Sequence, residues 1–123
     1  PNMMIWHNEL WLIDHGASLY FHHSWRNPEE AAADPFGYIS RHVLLPYADR
    51  LKEVDSLMRQ AITPRTLSKI TDMIPDEWLE EEGNGLSVAE KREGYRTFLT
   101  KRLAESHIFT EEALRQRDKL SLS

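Results

Sequence analysis

The sequence feature that most constrains the fold is a short apolar run, Leu10-Trp11-Leu12-Ile13, which ends at Asp14-His15-Gly16. An apolar run of this length, closed by turn residues, is typical of a buried β-strand. A carboxylate at the end of a buried strand costs free energy unless it is paired, hydrogen-bonded or bound to a metal. Because acids in such places hold Mg²⁺ in phosphoryl-transfer enzymes, Asp14 is the first candidate for a functional residue.

A second apolar run, over residues 3–6, precedes the first and is joined to it by a short polar segment. This pattern predicts a β-hairpin. Downstream the apolar spacing becomes helical, and capping signals at Asp34-Pro35, Thr63-Pro64 and Ser87 mark helix starts. We therefore expect a mainly α fold in one domain, with the hairpin within residues 1–25 and about five helices within residues 34–120.

Composition excludes several functional classes. The chain has 123 residues, a net charge of −5 and no dense segment of Lys and Arg, so we expect no nucleic-acid partner and no binding to an anionic membrane surface. No apolar stretch is long enough to span a bilayer. The absence of cysteine excludes disulfides, thiolate zinc sites and cysteine nucleophiles, and it favours a cytoplasmic location.

The segment from Asn2 to His23, followed by Trp25, resembles the C-terminal half of HipA-like kinases. Looser similarity continues through the helical part, and it is carried by Pro35-Phe36, His42-Val43-Leu44-Leu45-Pro46, Ile74-Pro75-Asp76, Trp78-Leu79, Arg92, Tyr95 and Lys101-Arg102-Leu103. More distantly, the strand that ends in Ile13-Asp14-His15-Gly16 is similar to the metal-binding segment of phosphoinositide-kinase-like folds. The resemblance implies the C-terminal lobe of an ATP-dependent kinase that uses Mg²⁺ and ATP.

This resemblance also implies roles for individual residues. Asp14 would be a Mg²⁺ ligand and Asn2 a weaker, shifted candidate ligand, with His15 and Gly16 beside the nucleotide. The family's catalytic loop, of the form Asp-Arg-x-x-x-Asn, would precede Asn2. The chain also has no Gly-rich phosphate loop and no lysine before Lys52. We therefore expect a lobe without catalytic residues of its own, inactive by itself and binding no cofactor tightly. Its partners would be a missing N-terminal kinase lobe and a protein or small-molecule phosphoacceptor.

Other interpretations of these residues stay open. Asp14 and His15 could simply hydrogen-bond the turn, with Gly16 supplying a backbone conformation that other residues avoid. The chain could be a non-catalytic helical interaction domain whose hairpin docks a partner. In that case, or beside a missing lobe, Trp6 and Trp11 would lie at an interface instead of in the core.

A histidine-based metal hydrolase is the third hypothesis. It would require a metal site formed by Asp14, His15, His22, His23 and His42. Their spacing matches no recognised zinc motif, and adjacent histidines on an extended strand point to opposite faces.

Overall fold

A computed structural model describes residues 3–80 and 84–121 of the chain. Its first elements are the strands β1 (Met3–Trp6) and β2 (Glu9–Leu12). The α-helices of the described residues are α1 (Pro28–Ala32), α2 (Leu51–Ala61), α3 (Pro64–Asp72), α4 (Val88–Ala104) and α5 (His107–Ser121). The prediction of a mainly α fold with an N-terminal hairpin is confirmed. None of the described helices has the length and apolar character needed to cross a membrane.

The hairpin forms as predicted but lies in an unexpected environment. β1 and β2 are antiparallel, with Met3 opposite Leu12, and the connecting His7 and Asn8 both have positive φ, as a tight two-residue turn requires. The prediction that the second strand is buried is wrong, because every residue of β2 is exposed. A two-stranded ribbon is too narrow to bury its own faces, and the core of the described chain forms elsewhere.

Short 3-10 turns replace one predicted helix. The expected helix after Asp34-Pro35 does not form, and the chain instead makes the turns Gly37–Arg41 and Leu45–Tyr47. Asp34 Oδ1 accepts a hydrogen bond from Phe36 N at 2.5 Å, and Phe36 has a φ of 57°. A left-handed residue at this point prevents an α-helix from continuing out of the Asp34 turn.

The other two capping signals are confirmed. Thr63 Oγ1 accepts from Thr66 N at 3.2 Å at the start of α3. Ser87 and Glu90 form a reciprocal capping box at the start of α4, in which Glu90 N donates to Ser87 Oγ at 3.2 Å and Ser87 N donates to Glu90 Oε2 at 2.8 Å. α5 begins at His107, directly after the turn that ends α4. Between α3 and α4 the chain forms a short 3-10 turn, Asp76–Trp78.

The core lies where α1 and α4 meet the segment that follows the hairpin. Phe21, Ala32 and Phe98 are its buried members, and Trp25 and Tyr95 pack against them. The rings of Phe21 and Phe98 are stacked, with 4.6 Å between their centroids. α4 therefore anchors the stretch of chain that comes directly after Asp14.

Candidate functional site

Asp14 lies in the connection between β2 and the 3-10 turn His15–Ala17, and its side chain is exposed. Its backbone is left-handed, with φ 51° and ψ 64°. Asp tolerates this conformation better than most residues, yet it costs about 1 kcal/mol where a Cβ is present. An exposed acid held in a strained backbone at the end of a strand is a candidate functional residue.

Gly16 does not have the predicted role in the backbone. The chain turns at Asp14, whereas Gly16 lies within the 3-10 turn and is not among the positive-φ residues of the described chain. A Cβ added to Gly16 would meet Asp14 Oδ1 at 3.9 Å, which is an ordinary contact. The fold itself therefore accepts a side chain at position 16.

The other predicted site residues are less constrained. His15 is exposed, and its carbonyl oxygen accepts a hydrogen bond from Ser18 N at 2.9 Å. Asn2 lies outside the described residues. In residues 3–80 and 84–121, no three or more His, Asp or Glu side chains form a group that could hold a metal ion, so the five residues of the hydrolase hypothesis do not converge there.

A single carboxylate is nevertheless compatible with Mg²⁺. This ion keeps several waters and is held through one or two carboxylates together with substrate phosphates. The exposed Asp14 carboxylate fits that mode, in which most ligands come from the nucleotide and from water. The Asp14 carboxylate is therefore compatible with a Mg²⁺ ion that is held mainly by other ligands.

The hairpin carries an exposed apolar surface on both faces. We call it the hairpin surface, and it consists of Met4, Ile5, Trp6, Leu10, Trp11, Leu12 and Ile13. The strand register places Ile5 opposite Leu10 on one face and Met4 opposite Trp11 on the other. Ile5 is 69% exposed. Because apolar side chains are exposed on both faces of the ribbon, a partner that covered both faces would form the more favourable complex.

Phe21, Trp25 and Tyr95 form an aromatic cluster that the sequence alone did not predict. Trp25 meets the Tyr95 ring edge-on at a centroid distance of 5.0 Å and the Phe21 ring at 5.8 Å. The Tyr95 hydroxyl lies 3.0 Å from His22 Nδ1. The spacing of Phe21 and Trp25 was an available signal, since residues four apart share one face of a helical turn. His22 is thus bound into the packing around α4.

Two cations on α4 bind backbone carbonyls. Lys91 is 1% exposed, and its Nζ donates to the Leu79 carbonyl at 2.8 Å. Arg92 Nη1 donates to the carbonyls of Thr71 and Ile74 at 2.6 and 2.8 Å. Hydrogen bonds from charged donors are stronger than neutral ones, so these two side chains fix the chain between α3 and α4. Their role is structural.

No protein-family model, no curated protein and no solved structure matches this chain. The features that bear on function are therefore its own: the Asp14 turn and the hairpin surface.

Proposed function

We propose that this chain is the helical lobe of a HipA-like ATP-dependent phosphotransferase, in which Asp14 holds Mg²⁺. The observation that carries the proposal is the exposed Asp14 carboxylate, placed just after a β-hairpin in a left-handed backbone. This is the strand–Asp-x-Gly arrangement in which the resembling kinases place a metal ligand.

Each residue of the turn has a distinct part in this proposal. When bound, Mg²⁺ would supply positive charge that offsets the charge of the phosphates. Asp14 would hold the ion, and His15 and Gly16 would lie beside the nucleotide. A Cβ at Gly16 would meet Asp14 Oδ1 at 3.9 Å, and the missing side chain leaves room for a phosphate against the backbone. The catalytic base and the phosphate-binding lysine would come from protein outside these 123 residues.

The hairpin surface supports a second kinase lobe as the partner. A two-stranded hairpin is only marginally stable in water, and contiguous exposed apolar surface marks interaction sites. Trp6 and Trp11 stand on one face of the ribbon with their ring centroids 5.4 Å apart, and both are about half exposed. A sheet of the other lobe could cover this face and extend the ribbon.

The test is Mg²⁺-dependent ATP binding, measured by titration calorimetry on the full natural chain. We expect Asp14→Asn to weaken binding at least tenfold in Mg²⁺ and much less in EDTA, because the lost charge acts through the ion. Asp118→Asn removes another exposed carboxylate, on α5, and serves as the matched control. Gly16→Ala should also weaken binding while leaving the melting temperature unchanged.

Equal ATP affinity in the wild type and Asp14→Asn would make Asp14 a turn residue and overturn the metal assignment. Equal loss in Asp14→Asn and Asp118→Asn would indicate a general charge effect, and it would also count against the proposal. Loss in Asp14→Asn alone, confined to Mg²⁺ conditions, would support it.

The hairpin surface also favours a second candidate, a non-catalytic interaction domain. Under this proposal the hairpin docks a protein partner by strand or aromatic contacts, and ATP plays no part. Absence of ATP binding by the full natural chain, combined with slow hydrogen exchange in β1 and β2, would favour this candidate over the kinase. Fast exchange in both strands would count against docking in either proposal.

A further inference from the structure

An open groove of about 360 Å³ lies between α2, α4 and α5. Small-molecule sites typically have volumes of roughly 300–1,000 Å³. Its lining is mainly apolar, and includes Leu51, Val54, Met58, Leu99, Leu103 and Phe109. α2 is amphipathic but has no buried residue, so its apolar side only partly covers the groove. A groove of this volume and lining has room for a small apolar ligand against α2.

Ser106 marks a polar point in this apolar groove. The residue belongs to the lining and is only 3% exposed. Its Oγ is buried and has no hydrogen-bond partner in the described part of the chain. Buried hydroxyls in native proteins nearly always have a partner, so an unpartnered one calls for a ligand or an ordered water. Because this Oγ is itself buried, a rotation about χ1 would have to turn it towards a ligand in the groove.

The wall of the groove is also positively charged, although the chain as a whole carries −5. Arg59 and Arg102 line it, against the single acid Asp55. Arg102 Nη1 donates to the carbonyls of Ala32 and Asp34, at 2.9 and 2.5 Å. These bonds hold the guanidinium in place, and the guanidinium carries further N–H donors on Nε and Nη2. Burial lowers the pKa of Arg102, partly offset by Asp34, but arginine stays charged at neutral pH.

We propose that this groove binds an amphipathic monocarboxylate, such as a medium-chain fatty acid. The carboxylate would accept hydrogen bonds from Ser106 Oγ and the Arg102 guanidinium, and the alkyl chain would lie along Val54, Met58 and Leu103. The apolar lining favours the chain, and the two arginines favour an anionic head over a neutral one. This site involves none of the residues around Asp14, so the proposed kinase role and this site can fail separately.

The experiment uses decanoate as the probe and the full natural chain as the protein. We expect saturable binding by titration calorimetry, with 1-decanol roughly tenfold weaker because it lacks the charge. Ser106→Ala should weaken decanoate binding about tenfold without lowering the melting temperature, because the hydroxyl has no partner to lose. Arg59→Gln should weaken it about threefold, whereas Arg65→Gln, the same change on exposed α3 surface, should have no effect.

A steric pair of variants tests the location. Val54→Trp places an indole in the groove and should abolish binding. Leu57→Trp adds the same side chain to α2 at a position outside the lining and should leave binding intact. Unchanged affinity in Ser106→Ala, equal affinity for decanol, or no saturable binding at all would overturn the proposal. Analytical sedimentation could instead show a dimer that Val54→Trp disrupts. That result would also overturn the proposal, because a second copy of the chain would then occupy the groove.

Discussion

The Tyr95 hydroxyl lies 3.0 Å from His22 Nδ1, and 73 positions separate the two residues in the chain. Tyr95 stands on α4, whereas His22 belongs to the 3-10 turn that follows the Asp14 segment. The Tyr95 ring also meets Phe21 edge-on at a centroid distance of 5.6 Å. Through this pair, the longest helix of the described chain fixes the position of the segment next to the candidate metal ligand.

Removing the Tyr95 hydroxyl should therefore weaken the fold. We expect Tyr95→Phe to lower the free energy of unfolding by about 1 kcal/mol, because a part-buried hydrogen bond is lost while the ring packing is kept. Urea denaturation measures the change. Tyr47→Phe removes a hydroxyl from a side chain that is 78% exposed and should be neutral. Equal effects of the two changes would show that the contact with His22 adds no stability.

The stacked pair of Phe21 and Phe98 should be the most sensitive point of the core. Phe98→Ala removes a ring that is 8% exposed, and burial losses of this kind cost about 3–5 kcal/mol. In a domain of this size, that is a large part of the total stability. Phe36→Ala, at a ring that is half exposed, should cost about 1 kcal/mol or less. Thermal unfolding by circular dichroism compares them, and a smaller loss at Phe98 would argue against the core described above.

Variants of Asp14 should separate backbone strain from function. Asn adopts the left-handed conformation about as readily as Asp, so Asp14→Asn should change stability by no more than about 0.5 kcal/mol. Asp14→Val should destabilise by about 1–2 kcal/mol, because a β-branched side chain is disfavoured at φ 51°. Chemical denaturation tests this. If Asp14→Asn were as unstable as Asp14→Val, its loss of ATP binding would not report on the metal.

The capping box should make stability depend on acid pH. Hydrogen bonds from the Ser87 backbone N–H and hydroxyl lower the pKa of Glu90 below its usual 4.5. A carboxyl whose pKa is lower in the folded state stabilises the fold above its unfolded pKa, and this contribution is lost as pH falls through the folded value. We expect the melting temperature to drop between about pH 5 and pH 3, and the drop to be smaller in Glu90→Gln.

Other acids contribute to the same pH dependence. Arg50 lowers the pKa of Glu53, and Gln116 followed by Arg115 lowers that of Glu112. Glu90→Gln should therefore reduce, but not abolish, the fall in melting temperature as the pH decreases. Ser87→Ala should reduce it as well, because the hydroxyl donates one of the bonds to Glu90. An unchanged slope in both variants would exclude the capping box as a source of the acid sensitivity.

Local elements of this fold were predictable because their signals act over a few residues. The capping box at Ser87 and the cap at Thr63 satisfy backbone N–H groups within their own first turn, so residue type and spacing determine them. The hairpin was predictable for the same reason, since two apolar runs and a polar connection are adjacent in the chain. The helix predicted after Asp34-Pro35 fails although Asp34 accepts a hydrogen bond from Phe36 N as a cap would, because Phe36 itself is left-handed.

The sequence by itself determined α2 to α5, the hairpin and Asp14 as the residue after it, because each follows from hydrogen bonding and apolar spacing between neighbours. Only the tertiary structure decided which apolar runs are buried. Phe21 and Phe98 pack together, whereas Trp11 and Leu12 stay exposed, although all four look alike in a hydropathy pattern. Burial depends on which surfaces meet in space, and contacts such as Tyr95 with His22, or the groove around Ser106, join residues whose distance along the chain carries no such signal.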